Sequence, residues 1–140
     1  MFGFILILLL WSGSVLAERW HYLGLSGMDI LSIETHPTSS QYIFAGTDYG
    51  GLHVSFDGGQ SWEYRVATNV PVPFVSYDPD TGDSLYAIVG DSYSAGVHTS
   101  DDDGNTWYQV SYLQYPRRMG FDPVNPGYMY VCFPDGIRVS

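Results

Sequence analysis

The chain has 140 residues and a net charge of −10, with fifteen acidic residues against five arginines and no lysine. That balance excludes the basic face that phosphates demand, and so excludes nucleic acid and anionic membrane surfaces as partners. The length allows one small domain, and a lone cysteine, Cys132, excludes an intramolecular disulfide.

Residues 2–11 are apolar apart from Gly3, and Val15-Leu16-Ala17 forms an Ala-x-Ala-type cleavage site. The apolar run is too short for a membrane span, which needs roughly 20 residues. Residues 1–17 are therefore read as a signal peptide. The mature chain, 18–140, is expected to be secreted or periplasmic, with no membrane attachment. No cysteine stands directly after Ala17, so no lipid anchor is expected.

The rest of the chain repeats. Pro37, Pro79 and Pro123 lie 42 and 44 residues apart; Trp20, Trp62 and Trp107 lie 42 and 45 apart. Between these markers run short segments rich in Val, Ile, Tyr and Phe, bounded by Gly, Pro, Asp and Asn, which read as strands. Strand A is expected around Ile30, Phe74 and Met119, strand B around Phe44, Tyr86 and Tyr130, strand C around Leu52, Val97 and Ile137. Strand D follows each Trp. No sustained helical period appears. A period near 44 residues with four strands per unit is propeller-sized. The fold class is thus all-β, a β-propeller segment of about three four-stranded blades. The segment opens on a D strand at residues 19–22, followed by blades over 28–67, 72–112 and an incomplete 117–140. This makes twelve strands, with the break in a C–D turn. Propellers close with four to eight blades. Either the chain is the N-terminal piece of a longer protein, or two copies close a six-bladed ring. Open blade edges make self-association possible.

Two repeat ends carry the same motif. They are Ser55-Phe56-Asp57-Gly58-Gly59-Gln60-Ser61-Trp62 and Ser100-Asp101-Asp102-Asp103-Gly104-Asn105-Thr106-Trp107. The Asp accepts bonds from turn amides, Gly59 and Gly104 supply a positive φ, Ser61 and Thr106 bond locally, and the Trp packs the turn. The pattern resembles the Asp box, or BNR repeat, of sialidases, sortilin-type receptors, photosystem assembly propellers and xyloglucan-cleaving propeller hydrolases. The resemblance implies a structural role for these residues, on the side away from the ligand face. A calcium reading of residues 99–110 fails, because Val110 stands where a bidentate Glu is required. No metal or other cofactor is expected.

A working face is sought on the B–C and D–A loops. Asp48, Tyr49, Asp91 and Tyr93 recur in the first two B–C loops; Tyr115, Arg117 and Arg118 lie in a D–A loop. Exposed Tyr beside carboxylates suits a sugar, with ring faces for stacking and acceptors for hydroxyls. Turn chemistry explains the same Asp and Gly. His53, His98 and Arg138 share one place in strand C and are read as packing residues. His36 stands where the other repeats have Asp78 and Asp122, which suggests a turn role, and Cys132 is read as buried. Sialidases carry an Arg-Ile-Pro motif, absent here, and adjacent Arg117 and Arg118 on a strand point to opposite faces. Thr47-Asp48-Tyr49-Gly50-Gly51 is similar to the loop bearing a catalytic carboxylate in the xyloglucan-cleaving enzymes. Asp48 is therefore a candidate for half of a catalytic pair. The expected function is a glycan- or protein-binding or scaffolding module, not catalytic alone. A fragment of a propeller glycoside hydrolase is the alternative.

Overall fold

The computed structural model describes residues 20–66, 69–91, 93–125 and 127–140. The leader assigned to residues 1–17 lies outside them. The described residues form eleven strands and no helix. β1 (Ile30–His36), β2 (Ser39–Thr47), β3 (Leu52–Ser55) and β4 (Glu63–Val66) make one sheet in sequence order. β5 (Phe74–Tyr77), β6 (Leu85–Gly90), β7 (Ala95–Ser100) and β8 (Tyr108–Leu113) make a second in the same order. The third holds β9 (Arg118–Phe121), β10 (Met129–Phe133) and β11 (Gly136–Val139). Every pairing is antiparallel.

Alternation decides which side chains meet between sheets. Phe44, Leu52 and Val54 of the first sheet pack against Val75, Tyr77, Leu85, Ala87 and Val89 of the second. Ile88, Ala95 and Val97, on the opposite face of the second sheet, meet Met119, Val131 and Phe133 of the third. The middle sheet is thus apolar on both faces, and each buried Val, Leu, Ile, Phe or Met side chain contributes about 1.5–3 kcal/mol. The repeats agree to the residue at the outer strands. β4 and β8 pair with β3 and β7 in the same register, Tyr64 opposite His53 and Gln109 opposite His98, with a bulge at the same place.

Two expectations need correction. Cys132 is exposed, not buried. It alternates with Val131 and Phe133, which face the second sheet, so it points to the face that no described sheet covers. Residues 20–23 form no strand. β3 and β7 already hold β4 and β8 as outer partners, and the segment pairs with no described strand. Arg19 of that segment is outside the described residues.

Candidate functional site

The two C–D turns are superimposable in their bonding. Ser55 is fully buried; its Oγ donates to Asp57 Oδ1 at 2.8 Å and accepts from Gly59 N at 2.8 Å. Asp57 then accepts from Ser61 N at 2.8 Å and Ser61 Oγ at 2.6 Å. Ser100, Asp102, Gly104 and Thr106 repeat this with distances of 2.8, 2.9, 2.8 and 2.6 Å. Gly59 and Gly104 have φ of +88° and +78°, a conformation open to glycine. The bonds from Ser61, joined by that from Ser55, hold the Asp57 carboxyl down at about 2. Thr106 does the same for Asp102, which is also lowered. Each carboxylate already takes three bonds from its own turn, which leaves it a poor candidate for reaching a ligand.

The tryptophans differ. Trp107 Nε1 donates to Gly104 O of its own turn at 3.1 Å, whereas Trp62 Nε1 donates to Leu23 O at 2.7 Å.

The A–B turns follow a second rule. Asp78 accepts from Asp80 N at 2.9 Å and Asp122 from Val124 N at 2.9 Å. At the equivalent place His36 Nδ1 accepts from Thr38 N at 3.1 Å. The imidazole substitutes for a carboxylate in an Asx-type turn. Its Nε2 lies 3.5 Å from Asp103, which also accepts from Tyr77 Oη at 2.9 Å. Asp103 holds a φ of +55° to do so. Sequence reading did not anticipate this His36–Asp103–Tyr77 cluster, which joins the first two sheets. A recess of about 540 Å³ beside it is lined by Glu34, His36, Tyr77, Asp78 and Asp83, but its polar groups largely bond one another.

The opposite end gathers the B–C and D–A loops. Val72 N donates to Thr47 O, Gly90 N to Pro71 O, and Arg117 N to Cys132 O, all at 2.9 Å. Thr47 ties the 48–51 loop: its Oγ1 donates to Gly51 O at 2.9 Å and accepts from Gly50 N at 2.8 Å. Asp48 is half-buried there and Tyr49 is 72% exposed. Asp91 is a turn former, accepting from Tyr93 N and Ser94 N, both at 2.8 Å. Tyr93 is 71% exposed and meets Tyr115 edge-on, ring centres 5.6 Å apart. Tyr115 reaches it from a φ of +58°, a costly conformation for a bulky residue. Tyr112 Oη pairs with Ser94 Oγ beside them. A groove of about 380 Å³ runs from Tyr115 past Gln114 and Pro134 to Asp135 and Arg138. Arg138 bonds Asp135 at 3.0 Å and stacks 4.1 Å over Phe133.

The candidates therefore divide. Tyr93 and Tyr115 are brought together; Asp48 and Tyr49 sit on the first sheet's loop. Arg117 and Arg118 are both exposed, and Arg118 lines a separate groove between inner strands with Ser32, Glu34 and Ser76. His53 and His98 pack within their sheets, and burial lowers the pKa of each. Among the described residues no group of His, Cys, Asp or Glu is placed to hold a metal ion.

Solved structures with this arrangement are propellers. An ancestral GH74 enzyme matches at a TM-score of 0.68 and 21% identity, over 79% of this chain and 17% of that one. The Niastella koreensis GH74 enzyme matches at 0.59 and 26%, over 76% and 18%. YCF48 bound to D1 peptide matches at 0.57 and 20%, over 80% and 36%. The chain is a segment of a β-propeller. Its three sheets are blades, and it spans well under half the length of each of these proteins. No family model matches the sequence, and no curated protein does.

Proposed function

We propose that this propeller segment binds carbohydrate at its loop end, on the platform formed by Tyr93 and Tyr115. The observation that carries this is the exposed, edge-on tyrosine pair beside the groove that leads to Asp135 and Arg138. An edge-on pair leaves a ring face open for a pyranose, and tyrosine offers apolar area with a polar tip. Asp135 and Arg138 supply an acceptor and donors for hydroxyls. The likeness to two GH74 enzymes supports a carbohydrate ligand. The two C–D turns are read as Asp boxes, which their shared bonding supports, and the chain as exported through residues 1–17.

Isothermal titration with neutral plant and bacterial oligosaccharides tests this reading. Binding by the wild type and its loss in Tyr93→Ala and Tyr115→Ala support it. Equal binding by all three would remove the platform from the site. A second reading, part of a propeller glycosidase, rests on Asp48 in the loop that Thr47 ties to Gly50 and Gly51. Glycoside cleavage needs a partner carboxylate across the bond. Hydrolysis by the wild type that disappears in Asp48→Asn, with binding retained, would favour it.

A further inference from the structure

One place in the repeat is filled differently in the third blade. His53 stands opposite Ala45, His98 opposite Ala87 and Arg138 opposite Val131. Residues opposite one another on an antiparallel pair share a face. His98 therefore looks towards the first blade with Ala87, and Arg138 towards the second with Val131. The histidines are withdrawn: His53 is buried, and His98 is half-buried with its Nδ1 3.3 Å from Gly96 O. Burial holds both below the ordinary histidine pKa and so favours the neutral ring. Arg138 puts a permanent charge at that place, and its side chain is exposed.

The guanidinium of Arg138 is held in position. It lies 4.1 Å over the ring of Phe133, which packs against the second blade, and its Nη2 donates to Asp135 Oδ2 at 3.0 Å. A guanidinium carries several N–H donors, and among the described residues only Asp135 takes a bond from this one. The others are left for a ligand in the groove that Arg138 lines with Gln114, Tyr115 and Pro134. A second cation stands beside that groove. Pro116 is buried while Tyr115 and Arg117 on either side of it are exposed, so both project outward from the D–A loop. Arg117 N bonds Cys132 O, which holds it at the end of β10. Among the described residues Arg117 forms no ion pair. A chain of net charge −10 thus places two of its five arginines beside one exposed tyrosine.

We infer that the carbohydrate bound at the Tyr93–Tyr115 platform is acidic, a uronic-acid oligosaccharide whose carboxylate is taken by Arg138, with Arg117 adding a second positive charge. The inference rests on the carbohydrate reading of this site. An arginine fork takes a carboxylate through parallel bonds that are stronger than neutral ones. The carboxylate of a uronate lies at the rim of the pyranose, so a ring stacked on the tyrosine presents it sideways, towards the groove. A neutral hexose offers a hydroxymethyl group there, and the charge-assisted bond is lost. The chain's distant carboxylates oppose an anion weakly, because charges more than about 8 Å apart are largely screened at physiological ionic strength.

Isothermal titration with trimers of galacturonate, glucuronate and mannuronate, each beside its own methyl ester, tests this. The ester keeps the ring, the linkages and the hydroxyls and removes the charge. The wild type is expected to bind at least one acid about tenfold or more tightly than its ester, the scale of one charge-assisted bond, and added salt should shrink that ratio. Arg138→Gln should lose the preference with its affinity for the ester little changed, and Arg117→Gln should lose a smaller part of it. Esters bound by the wild type as tightly as the acids, or more tightly, would overturn the inference and leave the carbohydrate reading standing. No binding of any acid, ester or neutral sugar would remove both. A preference that survives in Arg138→Gln, folded by circular dichroism, would take Arg138 out of the site and reject the assignment. The comparison of acid with ester uses the wild type alone, so it decides the question even where a variant fails to fold.

Discussion

The two ends of the blades are built from the same residue types and use them oppositely. At the turn end, Asp57 and Asp102 each take bonds from a serine or threonine hydroxyl and from a backbone amide two elements of the motif away. Three bonds to each carboxylate come from within its own turn, twice in the same way. At the loop end Tyr49 and Tyr93 are exposed, and among the described residues the contact between Tyr93 and Tyr115 has no counterpart in the first blade. Repetition marks what every blade needs in order to fold. Departure from repetition marks where one blade does something its neighbours do not.

The comparison is sharpened first by substitutions that should matter to stability alone. Phe44 is fully buried between the first two blades and lies edge-on to Tyr77, ring centres 5.6 Å apart. Phe44→Ala is expected to cost about 3–5 kcal/mol, measured by urea unfolding. Ser100→Ala comes next. It removes a buried hydroxyl that serves Gly104 N and Asp102 together, and leaving these partners unsatisfied costs about 1–3 kcal/mol. A loss near zero would mean that water or relaxation replaces the bond, and that the turn end is less closed than its geometry indicates.

Much of this division was legible in the sequence. The strands form at each expected A, B and C position, because Val, Ile, Tyr and Phe runs bounded by Gly, Pro and Asp leave little freedom in a repeat. The turn role of His36 was legible by alignment with Asp78 and Asp122. What escaped depends on long-range placement. Cys132 lies in an apolar run, but alternation turns it away from the one packed face. Trp20 has the repeat's identity without a partner strand, so it is not paired. Asp103 meets His36 across 67 positions, and the Tyr93–Tyr115 contact needs a positive φ at Tyr115. Neither is encoded in a local pattern.

Acid titration addresses the turn end as a whole. Asp57 is lowered from 3.8 to about 2 in the folded chain; Asp102 and Asp122 are lowered as well. A depressed carboxylate stabilises fully above its unfolded value, and that contribution is lost as pH falls through the folded one. Stability should therefore drop from about pH 4 towards pH 2. His53 and His98 are also lowered, by burial. Their neutral forms suit the fold, so a shallower loss should begin as pH falls below about 6.5. Asp57→Asn should flatten the lower limb and leave the upper one, as read from thermal midpoints across pH.

The smallest expected effect on stability is the one that best separates the two ends. Tyr93 is exposed, and its backbone N–H, which bonds Asp91, survives substitution. Tyr93→Ala should therefore change unfolding free energy by no more than about 0.5 kcal/mol. The same change should abolish oligosaccharide binding, because it removes the open ring and releases Tyr115 from its edge-on contact. Ser100→Ala should do the reverse, lowering stability while leaving affinity intact under conditions where the chain is folded. If instead Tyr93→Ala destabilised the chain as Ser100→Ala does, the tyrosine pair would be a packing device that holds Tyr115 in its positive φ. The loop end would then be a second structural end, and the contrast between the two would fail.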